Sequence, residues 1–145
     1  MRISTKGRYA LRVLVYLAEN LNGNYIALKE IAKSQHISKK YLEQIVPVLT
    51  RNGLLQVNRG FQGGYRLSRN PDKFTVGSVL RMTEGSLSSE GNNESGFANS
   101  EYDEDGEILF VWQGLNKTIN TYLDSITIQD IIDNKQDEYV NDYVI

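Results

Sequence analysis

The chain reads as mainly α with a small β-hairpin wing: a winged helix-turn-helix followed by a long dimerisation helix. Three observations predict this. Three amphipathic segments fill the first 52 residues. A Gly-rich hairpin follows them directly. A separate segment over 107–126 carries apolar residues alternately four and three apart. At 145 residues and 40% apolar content, the chain can bury a core without covalent staples.

The first helix is expected over 5–21. Ala10, Val13, Leu14, Leu17, Ala18 and Leu21 repeat at helical spacing. Ser4 or Thr5 caps its start and Asn22-Gly23-Asn24 ends it. A second helix spans 28–34 with Leu28, Ile31 and Ala32 inward. Ser38 caps a third over 39–52, with Tyr41, Leu42, Ile45, Val46 and Leu49 on its inner face. Gly53 is placed to close it. Pro47 removes one backbone bond inside this helix and is expected to bend or loosen it. Strands at 54–58 and 65–68 flank Arg59-Gly60-Phe61-Gln62-Gly63-Gly64. Asn70-Pro71-Asp72 is a turn, and Thr75 caps a helix over 76–84. Residues 85–106 are Ser, Gly, Asn and acid, the composition of a flexible loop. In the long helix, over 107–126, Ile108, Trp112, Leu115, Ile119, Tyr122 and Ile126 form an a/d seam, which suits either a partner helix or packing on its own subunit alone. Thr127-Ile128-Gln129-Asp130 is a capping box that starts a short helix to about Asn134. The organisation is therefore a winged domain at 1–84, an acidic loop at 85–106, dimerisation and short C-terminal helices at 107–134, and a tail at 135–145.

Composition narrows the chemistry. The chain has no cysteine, which excludes disulfides, thiolate-bound iron–sulfur clusters, cysteine zinc sites and a cysteine nucleophile. Its single histidine, His36, has no companion ligands and reads as a turn residue. No nucleophile–base pair with His36 suggests an enzyme, and no metal site or cofactor is expected. The longest apolar run near the start, Val13 to Ala18, is too short for a signal-peptide core of about 7–15 residues. A cytoplasmic location is expected.

The net charge of −2 conceals a division. Residues 1–81 carry 14 basic and 4 acidic side chains, a formal +10. Residues 82–145 carry 2 and 14, a formal −12. A basic half with a helix-turn-helix and a wing suits double-stranded DNA. Ser38, Lys39, Lys40, Glu43 and Gln44 lie where the third helix would enter the major groove. A glutamine amide there can pair with adenine, and a carboxylate can accept from cytosine. Arg59 is positioned to enter the minor groove, with Gly60, Gly63 and Gly64 allowing close approach. Lys6, Arg8 and Tyr9 can reach phosphates from the start of the first helix. A winged helix used only for protein contact is the competing class.

Ile3-Ser4-Thr5-Lys6-Gly7-Arg8-Tyr9-Ala10, Ile37-Ser38-Lys39-Lys40-Tyr41-Leu42-Glu43-Gln44, Asn52-Gly53-Leu54 and Arg59-Gly60-Phe61-Gln62-Gly63-Gly64-Tyr65 resemble the Rrf-two family of bacterial transcription regulators. The resemblance covers about 1–85 and resumes at the long helix and the Thr127 helix. It implies a homodimeric repressor on a palindromic operator, with the long helix crossing its partner so that Ile108, Trp112, Leu115, Ile119, Tyr122 and Ile126 form the dimer interface. Some branches of that family hold an iron–sulfur cluster through loop cysteines, and one has a carboxylate ligand where this chain has Arg8. With no cysteine, this chain is more similar to a cluster-free branch that represses cysteine metabolism, supported also by Glu84-Gly85 and the aromatic–isoleucine end. That similarity implies cysteine synthase as corepressor, held by a tail in which Tyr143, Val144 and Ile145 make the contact. Direct sensing of an apolar small molecule around Met82, Phe110 and Trp112 is the rival within the family.

Overall fold

The computed structural model describes residues 2–85, Leu87 and 106–143, with side chains described as far as Glu138. In order the elements are α1 (Thr5–Glu19), α2 (Leu28–Gln35), α3 (Lys39–Arg51), β1 (Leu55–Asn58), β2 (Gly64–Leu67), a 3-10 turn at Pro71–Lys73, α4 (Val76–Glu84), α5 (Leu109–Asp124) and α6 (Ile128–Tyr143). Among the described residues, six α-helices and one antiparallel hairpin make the winged-helix fold that the sequence predicts.

Local chemistry sets most boundaries. The hydroxyls of Ser4, Ser38 and Thr75 accept from the amides of Gly7 (3.2 Å), Tyr41 (3.1 Å) and Ser78 (3.1 Å), so each caps the helix it precedes. At the end of α3, Gly53 has φ 78°. Its amide bonds Thr50 O and the next amide, of Leu54, bonds Leu49 O, which satisfies carbonyls the helix leaves over. α2 ends with His36 in the left-handed region (φ 54°) and the Ile37 amide on Ala32 O at 3.1 Å. α3 runs through Pro47 to Arg51. Pro47 is exposed, so the Glu43 carbonyl it leaves without a helical donor lies on the solvent side.

The main core is a cluster beneath the helix-turn-helix. Leu14, Ile31, Leu42, Ile45 and Leu49 are fully buried, and Ile128 of α6 is buried with them. α6 thus belongs to the winged domain's core and lies along α1. An antiparallel bridge between Thr75 and Thr127 pins its start, with Val76 N–H donating to Ile126 O (2.8 Å) and Ile128 N–H to Phe74 O (3.0 Å). Thr127 and Asp130 close a reciprocal capping box at 3.0 and 2.9 Å.

Two expectations need correction. The last helix does not stop near Asn134 but continues to Tyr143, so most of the supposed tail is helical. No glycine or proline interrupts residues 128–143, and Lys135 Nζ reaches Glu19 of α1 at 3.1 Å, beyond the expected end. The first helix stops at Glu19 rather than residue 21, leaving Leu21 51% exposed. Of the loop at 85–106, only Gly85, Leu87 and Gly106 lie among the described residues. Leu87 is buried in a second, small cluster with Val76 and Leu80.

Candidate nucleic-acid interface

The wing is held by two backbone pairings in succession. β1 and β2 pair Leu55 with Leu67 through Asn58 with Gly64. On β2's other edge, Tyr65 exchanges two 2.8 Å hydrogen bonds with Ile26, in the segment before α2. Gly64 is buried at that crossing, and a Cβ there would run into the Ile26 carbonyl. This supplies a packing reason for Gly64, which the sequence had offered only as a point of approach to DNA. Gly63 closes the tip. Its amide bonds Gly60 O at 2.9 Å, and a Cβ would meet that oxygen at 2.7 Å.

Ser38, Lys39, Lys40, Glu43 and Gln44 are all exposed on the outer side of α3. Burial of Leu42, Ile45, Val46 and Leu49 on its inner side turns them there. Pro47 and Arg51 extend the same outer stripe by helical spacing. Arg51 is a cation that sequence reasoning passed over, although it stands seven residues beyond Gln44. A groove of about 450 Å³ separates α3 from the wing. Val46, Pro47, Thr50 and Arg51 line one wall, and Val57, Arg59, Gly60 and Tyr65 the other. The structure therefore sets Arg51, at the C-terminal end of the outer stripe of α3, and Arg59 of the wing on the two lips of one groove, while Ser38, Lys39, Lys40, Glu43 and Gln44 lie outside it.

Hydrogen bonding separates free cations from tied ones. Among the described residues, Lys6, Arg8, Lys39, Lys40, Arg51 and Arg59 make no side-chain hydrogen bond or ion pair. Three other arginines are tied. Arg12 donates to Gln35 O at the end of α2 and lies over the Tyr9 ring at 5.3 Å. Arg66 donates to Gln56 (2.9 Å) and to Gly23 O (3.0 Å), and lies over Tyr25 at 4.4 Å. Arg81 is engaged with α5. Lys6 is half-buried and Arg8 exposed at the start of α1. Tyr9 is half-buried and meets Tyr41 edge to face at 5.2 Å, so its ring joins α1 to α3.

α5 has no fully buried residue. The expected six-residue seam overruns α5 at both ends, because Ile108 precedes the helix and Ile126 follows it, and it divides into two series, each repeating every seven. Ile119 and Ile126 pack on the small cluster of their own subunit, with Trp112 of the same series half-buried. Ile108, Leu115 and Tyr122 are 46%, 41% and 64% exposed. α4 holds the helix in place. Arg81 bonds both Asp124 carboxylate oxygens at 2.8 Å, and also Asn120 Oδ1 at 2.8 Å. Hydrogen bonding to Arg81 holds the Asp124 carboxyl below its ordinary value and raises Arg81 above its own. The trio suggested as a ligand pocket is not gathered. Phe110 is 72% exposed and, two residues from Trp112, points to nearly the opposite side of α5. Met82 packs on the main core cluster. Tyr143 ends α6, and Val144 and Ile145 lie outside the described residues. No helix among the described residues is long and apolar enough to cross a membrane.

Comparison with known proteins agrees with this geometry. Residues 3–134 match the family model Rrf2, described as an iron-dependent transcriptional regulator. The chain is 35% identical over 143 residues to the HTH-type transcriptional regulator CymR of Bacillus subtilis (strain 168), covering 97% of this chain and 98% of that one. The structure of CymR, the global cysteine regulator of B. subtilis, matches with a TM-score of 0.74 at 33% identity, over 90% of this chain and 95% of that one. IscR of T. potens matches with a TM-score of 0.73 at 35% identity, over 93% and 88%. The family description names iron, and the donor set here does not fit a thiolate-ligated cluster. The chain has no cysteine, and its one imidazole, His36, occupies the left-handed cap of α2.

Proposed function

Because the chain belongs to the Rrf2 family of DNA-binding transcription regulators, we propose that it is a repressor that binds a palindromic operator as a homodimer. α3 enters the major groove, with Gln44 and Glu43 reading base edges and Ser38, Lys39 and Lys40 setting its position on the phosphates. Arg59, with the Gly60–Gly64 turn, enters the adjacent minor groove, and Lys6, Arg8 and Tyr9 meet the backbone. The observation that carries this reading is the pairing of uncommitted cations on both lips of the α3–wing groove. Of the seam Ile108, Trp112, Leu115, Ile119, Tyr122 and Ile126, two copies join through the exposed Ile108, Leu115 and Tyr122, backed by the others. The place of action is the cytoplasm.

The regulon we propose is cysteine and sulfur metabolism, supported by the likeness to a protein described as a global cysteine regulator. Cysteine synthase acts as corepressor, and Tyr143, Val144 and Ile145 contact it. Selection of duplexes from a random library, with and without cysteine synthase, tests the whole reading. A two-fold symmetric sequence recovered by a dimer is expected, with affinity falling steeply as salt rises. Recovery of no sequence would reject the operator. An Ile145 deletion that leaves the synthase affinity unchanged would reject the tail contact.

A further inference from the structure

Phe61 stands at the tip of the wing with 96% of its surface exposed, the most exposed large apolar side chain among the described residues. Shelter lies beside it. The α3–wing groove is walled by Val46, Pro47, Val57 and Tyr65, yet Phe61 does not line it. The turn keeps it out. Gly60 O accepts from Gly63 N–H at 2.9 Å, and Gln62 has φ 58°, so residues 60–63 form a tight turn of the type II pattern with Phe61 and Gln62 at its corners. A left-handed glutamine is an uncommon choice at such a corner, where glycine or asparagine would sit without strain. The arrangement fixes an aromatic ring at the apex rather than leaving it free to fold back.

The surroundings say what the ring meets. No acidic residue occurs between Glu43 and Asp72, and that stretch carries Arg51, Arg59, Arg66 and Arg69. Arg59, uncommitted, is two residues from Phe61. A projecting apolar ring beside a free arginine suits the minor groove of duplex DNA, where arginine follows the negative potential and apolar side chains wedge between base pairs. We propose that Phe61 is a DNA wedge. It enters the minor groove beside Arg59, partly unstacks one flexible pyrimidine–purine step in each half-site, and so adds sequence preference at a position no polar group reads. This rests on the DNA-binding reading above.

The test uses the full-length protein and an operator duplex selected from a random library, with 2-aminopurine placed at successive flanking positions. Wild type is expected to raise the fluorescence at one step per half-site. Phe61→Ala should abolish that signal and weaken operator binding about tenfold, while leaving the salt dependence and the thermal midpoint unchanged, because the side chain is uncharged and exposed. Phe61→Leu should restore part of both, since leucine also wedges. Arg59→Ala should instead flatten the salt dependence. No unstacking signal with wild type, or wild-type affinity with the signal retained in Phe61→Ala, would overturn the wedge while leaving DNA binding intact. Failure of wild type to select any duplex would overturn both.

Discussion

Arg81 on α4 grips Asp124 on α5 through two parallel hydrogen bonds of 2.8 Å, and the same guanidinium reaches Asn120 one turn earlier. α5 buries no residue completely, so this fork and the partial packing of Ile119, Leu123 and Ile126 hold it in place. Both partners are over a third exposed, so solvent screens the pair and its worth is at most about 1 kcal/mol.

The pair should show in the pH dependence of stability. The Asp124 carboxyl is held below its ordinary value by Arg81, so its contribution is present above the unfolded carboxyl value and fades as pH falls through the lowered one. Asp124→Asn should lower the urea midpoint modestly at pH 7 and leave it unchanged at a pH where both forms are protonated. An equal loss at both pH values would place the effect outside the ion pair.

The three classes of DNA contact should separate on mutation. Gln44→Ala should relax base preference by about 1–3 kcal/mol with little effect on random duplex. Lys40→Ala should weaken operator and random duplex alike and reduce the salt slope by about one. Arg59→Ala should lower operator affinity strongly. Anisotropy titrations across salt on both duplexes check all three.

The two faces of α5 should respond differently. Tyr122→Glu and Leu115→Lys alter exposed positions and should yield a folded monomer in sedimentation experiments. Ile119→Lys places a charge against the chain's own small cluster and should lower stability by several kcal/mol whether or not a dimer forms. Dimers that survive Tyr122→Glu and Leu115→Lys together would move the interface elsewhere.

Gly64→Ala should damage the wing from its root. Its methyl would strike the Ile26 carbonyl, and the neighbouring Ile26–Tyr65 bridge must give way. A loss of about 1–3 kcal/mol is expected, with faster amide exchange at Ile26 and Tyr65 than elsewhere in the sheet.

Local rules made much of the fold legible. Ser4, Ser38, Thr75 and the Thr127–Asp130 box mark helix starts because capping is settled within three residues. Gly53 marks an end for the same reason. What escaped depends on distant partners. The length of α6 is supported by its packing on α1, including Lys135 on Glu19, a contact 116 residues away in sequence. Periodicity found the apolar residues in and beside α5 but could not say that Ile119 and Ile126 pack on their own subunit while Leu115 and Tyr122 face out. Charge counting grouped Arg12 and Arg66 with Arg59, and only tertiary hydrogen bonds show which guanidinium is left over. Phe61 sits inside the Arg59–Gly64 motif, but a sequence does not reveal that a nearby apolar groove has been left without it.

α4 is short, yet within one turn it carries both Arg81, which fastens α5, and Glu84, whose carboxylate accepts from the backbone and hydroxyl of Ser4 at the start of α1. The helix that would meet a second copy is thereby yoked to the helix that would meet phosphate. In the proposed dimer the two reading heads stand at a set separation and angle, like the jaws of a caliper. Inserting one base pair between the half-sites turns one of them by about 35° around the duplex, and such a yoke has little play with which to follow. The molecule would then gauge a length as strictly as it reads letters.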